Sequence, residues 1–383
     1  MKRHRLLIVV NVDWFFVSHR LSIALAALRH GYEVHLATEI TTHADSLRKL
    51  GLTIHPLPSM RRRSSLAGSF RIFAEIFRLC RGLNPDVVHL VTIRPVLLGG
   101  IAARLAGVKG VVAAISGLGF VFSDTGLRAS IRRHLVSRLY SFALRQRNIR
   151  VIFQNSADRD TVTALAGVSD AHVEMIPGSG VDLDRFRPVP IPEGPPVVML
   201  AARMLRDKGV LDFVAAARVL RASGHGLGRV ARFVMVGSID AGNPASLSQS
   251  EMRSLEAEGA VELWGSKRDM WEILPKASVI VLPSYREGLP KVLIEAAACG
   301  RAVVTTDVPG CRDAIVPGVT GLLVPPRRPD QLASAIECLL GDPARCAAFG
   351  DAGRRLAKRS FGIEGVVERH LDIYSALIPK AGT

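Results

Sequence analysis

The chain reads as an α/β protein built from two Rossmann-like halves, and three features carry that reading. Hydrophobic content is 48% with only 5% aromatic residues, the Ala-, Val-, Leu- and Ile-rich balance of parallel sheets covered by helices. Short, continuous apolar runs alternate with helix-length stretches from Leu6 onward, as in β-α-β winding. The alternation breaks at the proline-rich stretch Arg187–Pro196, RPVPIPEGPP, and restarts at Val197, so the 383 residues divide into two domains.

Taken in order, Leu6–Val12 is an apolar run broken only by Asn11, as a strand buried on both faces should be. The leading MKRHRLLIVVNVDWFF has too short an apolar run for a signal peptide and no small-residue cleavage site before or after Asp13. A loop over Asp13–Arg20 leads to a helix at Leu21–His30, ended by Gly31. Strand Glu33–Thr38, helix Thr42–Leu50 and strand Thr53–Leu57 follow. Helix Ser65–Gly82 is expected to present Phe70, Phe73, Ile76 and Phe77 on one face. Strand Asp86–Leu90, helix Pro95–Ala106 and strand Val111–Ser116 continue the pattern, but no GxGxxG follows the first strand, so the dinucleotide fingerprint is missing from its place. Gly126–Arg150 reads as one helix carrying Arg128, Arg132, Arg133, Arg138, Arg145, Arg147 and Arg150 without an acidic residue. Strand Val151–Asn155, helix Ser156–Ala166 and the glycine-rich turn Pro177–Asp182 close the first half.

In the second half, strands are expected from Val197, at Ala231–Val236, Val261–Trp264, Val279–Pro283, Ala302–Thr306 and Gly321–Val324, with helices between them. Pro290 sits where a first helical turn would begin, and Pro343–Leu377 reads as helical segments broken at Phe361–Gly362. The expected domains are 1–188 and 196–361, with 362–383 crossing back to the first.

Lys and Arg total 50 against 34 Asp and Glu, a net charge of +16 that calls for an anionic partner. The Arg-rich helix, together with Arg61–Arg63, Arg71, Arg78 and Arg81, suits an anionic lipid surface. Exposed aromatics interleaved with the charge are missing, as is any nucleic-acid motif, so nucleic acid is not expected. Five cysteines without a CxxC pair argue for a reducing compartment and against a zinc site or disulfide framework. No run of ~18 apolar residues is present to span a bilayer.

The chemistry concentrates in Ser284–Pro309, where Glu287 and Glu295 stand eight positions apart around Gly288, Leu289 and Pro290. A helix start there would offer free N–H groups to an anion. Arg203 and Lys208 follow the first strand of the second half, at the strand end where parallel sheets bind ligands. Arg grips phosphate bidentately and Lys acts as a point charge, so the pair suits a diphosphate. Asp158-Arg159-Asp160 and Asp182-Leu183-Asp184 match a DxD pattern formally, but one lies at a helix start and the other in a turn, so no metal is expected.

The set Arg203…Lys208-Gly209, Gly265…Arg268-Asp269, Pro283-Ser284…Glu287-Gly288…Glu295-Ala296…Gly300, with Gly310 and Gly318–Val324, resembles the family-4 retaining glycosyltransferases. The resemblance implies a GT-B fold, two Rossmann-like domains facing across a cleft, with a nucleotide-sugar donor held by the second. It implies diphosphate contacts for Arg203 and Lys208, ribose contacts for Glu295 and sugar-hydroxyl contacts for Glu287. Gly288 and Leu289 would offer backbone N–H groups, and the Gly265–Arg268 stretch would cover the base. No metal or other cofactor would be needed, and the leaving phosphate would take the acceptor proton. Ser116-Gly117-Leu118-Gly119-Phe120, the Asp124–Tyr140 region and Gly310-Cys311-Arg312-Asp313 resemble bacterial enzymes that extend undecaprenyl-diphosphate-linked sugars. That likeness implies a UDP-hexose or UDP-N-acetylhexosamine donor, a lipid-linked acceptor and a peripheral place on the inner face of the cytoplasmic membrane. His19, Gly117 and Gly119 become acceptor-side candidates, although the loop after Ser116 lacks the histidine many members carry. A nucleotide-sugar epimerase and a non-catalytic anionic-surface module are the competing readings.

Overall fold

The computed structural model describes residues 3–60, 65–117, 127–223, 226–227 and 230–378, the side chains of 127–135 excepted. The chain folds into two compact units, Met1–Ser179 with Glu364–Thr383, and Gly180–Ile363.

The first unit contains β1 (Arg5–Val12), α1 (Asp13–His19), α2 (Leu21–Arg29), β2 (Glu33–Glu39), α3 (Ala44–Lys49) and β3 (Thr53–Pro56). After these come α4 (Leu66–Leu83), β4 (Val87–Val91), a π-helical turn at Pro95–Gly99 leading into α5 (Gly100–Ala106), and β5 (Gly110–Ile115). Then follow α6 (Leu127–Leu144), β6 (Ile149–Phe153), α7 (Ser156–Ala166) and β7 (Val173–Met175). The strands form one sheet ordered β3-β2-β1-β4-β5-β6-β7, and every pairing is parallel. Leu6–Val10 is fully buried because helices cover both faces of the sheet.

Three expectations need correction here. Asp13–His19 is helical rather than a loop. Helix α4 buries Ile72, Ile76 and Cys80, whereas Phe70 is 69% exposed, because the helix is rotated to put its branched aliphatic stripe on the sheet. The Arg-rich helix stops at Leu144, and Arg150 lies in β6 against Glu174, since Ile149, Val151 and Phe153 are better buried on a central strand.

The second unit contains β8 (Val197–Ala201), α8 (Val210–Ala222), β9 (Arg232–Val236), α9 (Gln249–Ala257), β10 (Glu262–Gly265), α10 (Met270–Ile273) and β11 (Val279–Leu282). It continues with α11 (Lys291–Ala298), β12 (Ala302–Thr306), β13 (Gly321–Val324), α12 (Pro329–Leu340) and α13 (Pro343–Ser360). Its sheet, also all parallel, is ordered β10-β9-β8-β11-β12-β13. Pro290 caps α11 from outside in an extended conformation rather than sitting in its first turn. The proline-rich stretch is no free linker. The buried Arg301 donates to the carbonyls of Val189 (2.8 Å) and Pro190 (3.2 Å), and Val181 N donates to Phe361 O at 2.8 Å. Those bonds hold 180–196 to the second unit and move the boundary from 188 back to Ser179. The last helix, α14 (Ile363–Leu377), packs Val366, Ile373, Tyr374 and Leu377 into the core of the first unit.

Candidate active site

In each sheet the strand order reverses once, between β1 and β4 and between β8 and β11. The crevice beyond the carboxyl ends of such a strand pair is where doubly wound sheets bind ligands. The residues after β8 and β11 meet there. Gly209, at φ +68°, ends the turn after β8, and a Cβ on it would lie 2.1 Å from Pro283 O. Only glycine lets the two loops close to that distance. Tyr285 N donates to Asp207 O at 2.9 Å and fastens them.

That approach brings Lys208 Nζ into an ion pair with Glu287 Oε1, which also accepts from Ser284 Oγ at 2.7 Å. The Lys208 and Glu287 side chains are only 19% and 11% exposed, so the pair is little screened by solvent. Thr306 Oγ1 donates to the Ser284 carbonyl, and Glu287 N donates to Pro309 O at 3.2 Å. Arg203 stands at the rim, donating from Nη1 to Asp240 Oδ2 at 2.9 Å. Asp207, between these groups, has its carboxyl pushed up by burial and by Glu287, against Lys208 and Arg203. Its Oδ1 is buried without a hydrogen-bond partner among the described residues.

Glu295 occupies the second turn of α11 and is buried, with Lys291 Nζ 3.2 Å from its Oε1. Burial pushes its carboxyl above the ordinary range, and Lys291 offsets part of that rise. The two glutamates therefore hold different cations, Lys208 and Lys291. The Leu289 side chain is buried in the core, and its N–H makes no hydrogen bond among the described residues. Arg268 is exposed beyond β10 and is not drawn into the cluster. Sequence reasoning passed over Lys291, which its i,i+4 spacing to Glu295 could have marked. Asp240 and Asp207 carried no comparable signal in the sequence.

In the first unit His19 ends α1, stacked on Phe15 with ring centroids 4.0 Å apart and Nδ1 3.2 Å from Phe15 O. Gly117, at φ +106°, lies just past β5, and Gly119 falls outside the described residues. Asp13 is a structural carboxylate. It accepts from the backbone N–H of Thr41 (2.8 Å), Thr42 (3.1 Å), His43 (3.0 Å) and Trp14 (2.8 Å), and from Thr41 Oγ1. Burial pushes its carboxyl up, and these bonds outweigh that and hold it below the ordinary range. The DxD matches serve turns: Asp158 packs in the Asn155 cap of α7, and Asp182 accepts from the N–H of Asp184 and Arg185. Sequence reasoning passed over Arg20, which is 2% exposed and donates to His19 O at 2.9 Å and to Ser179 Oγ and Ser116 Oγ, each at 3.4 Å. Burial brings its guanidinium down to about 10.

A family model described as glycosyl transferase 4-like matches residues 5–156, and one described as glycosyl transferases group 1 matches 183–356, where Arg203, Lys208, Glu287 and Glu295 lie. The chain is a family-4-like GT-B glycosyltransferase. This glycosyltransferase is 28% identical to the N,N'-diacetylbacillosaminyl-diphospho-undecaprenol alpha-1,3-N-acetylgalactosaminyltransferase of Campylobacter jejuni, over 94% of this chain and 95% of that one. It is 24% identical to the UDP-Gal:alpha-D-GlcNAc-diphosphoundecaprenol alpha-1,3-galactosyltransferase of Escherichia coli, over 84% of this chain and 83% of that one. Its fold matches Anabaena HepE in complex with UDP and glucose at a TM-score of 0.76 and 16% identity, over 97% of this chain and all of that one. WaaG, a glycosyltransferase involved in lipopolysaccharide biosynthesis, matches at 0.74 and 16%, over 97% and 99%.

Proposed function

We propose that this glycosyltransferase moves a hexose or N-acetylhexosamine from a UDP-sugar to a sugar carried on undecaprenyl diphosphate, with retained configuration, in bacterial surface-glycan assembly. The lipid-linked acceptors named for the Campylobacter and Escherichia coli relatives support the acceptor, and the UDP-bound HepE structure supports the donor. The observation that carries the reading is the buried Lys208–Glu287 pair at the switch point of the group 1 domain.

Arg203 and Lys208 neutralise the donor diphosphate, and as the bond to the sugar breaks they hold the charge that develops on the leaving phosphate. Two cations at the strand end, Lys208 largely buried and Arg203 at the rim, supply what a metal ion would, so the transfer runs without metal or other cofactor. Glu287 exchanges Lys208 for hydroxyls of the donor sugar, Glu295 takes the ribose hydroxyls, Gly288 and Leu289 present backbone N–H groups, and Arg268 reaches the base. His19, Gly117 and Gly119 contribute to the acceptor side. The leaving phosphate oxygen takes the acceptor proton during front-face attack.

Peripheral attachment to the inner face of the cytoplasmic membrane fits the exposed start of α4, where Leu66 is 92% and Phe70 69% exposed beside the exposed Arg71. No helix among the described residues is long and apolar enough to cross a membrane.

Transfer from a panel of UDP-sugars to undecaprenyl-diphosphate-linked acceptors tests the reading. Lys208→Met and Glu287→Gln should each lower turnover on the order of a hundredfold. Unchanged turnover in both variants, or an epimerised UDP-sugar formed without acceptor, would overturn it.

A further inference from the structure

Arg20 presents a problem of charge. A guanidinium 2% exposed is costly unless paired, yet Arg20 makes no ion pair with a carboxylate among the described residues. Among the described residues the one short bond its side chain makes is to the carbonyl of His19, at 2.9 Å. The two hydroxyl contacts are long, at 3.4 Å, and its Nε is buried with no hydrogen-bond partner among the described residues. Ser116 and Ser179 accept from Arg20 and make no other side-chain hydrogen bond among the described residues, so each keeps an O–H to donate. Arg20 Nε, Ser116 and Ser179 thus form a set of donors short of an acceptor.

Their place in the fold gives that imbalance meaning. Arg20 comes after β1 and the short helix α1, and Thr92 follows β4, the two strands flanking the first sheet's order reversal, while Ser116 follows β5, the strand paired with β4. Thr92 has φ +75°, a left-handed conformation that a β-branched residue adopts only under constraint and that clusters at functional sites. Gly117 at φ +106° and Gly178 and Gly180 at φ +72° and +75° shape the loops that carry the two serines.

We propose that Arg20, with the hydroxyls of Ser116 and Ser179, anchors an anion site over the switch point of the first sheet, and that its ligand is a phosphate of a diphosphate-bearing substrate. A ligand with acceptors only answers the surplus of donors, and arginine's planar fork matches phosphate oxygens. The ligand's source rests on the proposed function, because both the lipid-linked acceptor and the nucleotide-sugar donor carry a diphosphate. The site itself can be tested without any transfer.

The probe is inorganic pyrophosphate, titrated calorimetrically into the full-length Arg203→Ala/Lys208→Ala protein, in which the second unit's cations no longer answer. One site is expected, with affinity lost at least tenfold on adding Arg20→Gln. Arg20→Lys should keep the fold and bind about tenfold more weakly, having charge but no fork. If the Gln form does not fold, the Lys form decides. No binding to the parent protein, or equal affinity with Arg20 changed, overturns the site. In the otherwise intact enzyme, Arg20→Lys should raise KM about tenfold for one diphosphate substrate. A rise for the lipid-linked acceptor assigns the site to it, a rise for the UDP-sugar assigns it to the donor, and a rise for neither refutes the proposal.

Discussion

Replacing Gly310 by alanine would probe how closely the loop after β12 backs the Glu287 segment. Gly310 has φ +82°, and a Cβ built on it would stand 2.5 Å from Glu287 O and 2.6 Å from Gly288 O. The left-handed backbone costs a residue with a Cβ roughly 1–2 kcal/mol. Relieving a contact with backbone atoms, which cannot rotate away, adds about 1–3 kcal/mol. Gly318→Ala is the control, since Gly318 has φ +72° with nothing within 4 Å of its Cβ, so it incurs the backbone cost alone. Gly310→Ala should therefore lower the urea-unfolding free energy of the second unit by roughly 2–5 kcal/mol and Gly318→Ala by roughly 1–2 kcal/mol. The activity should separate them further. Moving the Glu287 carbonyl from 2.5 Å to a tolerable 3.0 Å displaces that backbone by about half an ångström. Since a misplacement of about 1 Å can cost on the order of a hundredfold, kcat/KM for the UDP-sugar should fall about tenfold in Gly310→Ala and little in Gly318→Ala. Equal effects of the two substitutions on both stability and kcat/KM would refute the close approach and the positioning role drawn from it.

Glu295→Gln should raise stability at pH 7 while weakening donor binding. Because burial raises the folded carboxyl above its unfolded value, its favourable contribution is complete below about pH 4.5 and is lost as pH rises through the folded value. The gain in Tm should accordingly vanish near pH 4, and a gain that persists there would contradict the assignment. His89 and His370 predict the opposite slope. Burial first, then their neighbours including Arg20, depress both, His370 to about 3. Their contribution is present above the unfolded value near 6.5 and lost as pH falls, at about 1.4 kcal/mol per pH unit for each proton taken up on unfolding. His370→Met should halve the slope contributed by the two histidines between about pH 6 and 4 in pH-dependent urea unfolding of the first unit. An unchanged slope would show that His370 takes up no proton on unfolding.

The two-domain winding was legible because buried parallel strands write themselves as apolar runs such as Leu6–Val12 and Val279–Leu282, and each half repeats the period. Arg203, Lys208, Glu287 and Glu295 were legible as residue types at strand ends and around a helix start, but which partners they hold was not. Lys208 reaches Glu287 across 79 positions only because Gly209 lets two loops close on each other, and Arg203 finds Asp240 in a loop no periodicity marks. The face of α4 was misread because a helical stripe of Phe and Ile does not reveal which of them the sheet below has room for. The boundary was misplaced because a proline-rich run resembles a linker until Arg301 is seen holding it. Arg20 was invisible for the same reason. Composition supplied a surplus of +16 without telling a solvated arginine from one sealed among hydroxyls, and only tertiary packing decides which charges lose their water.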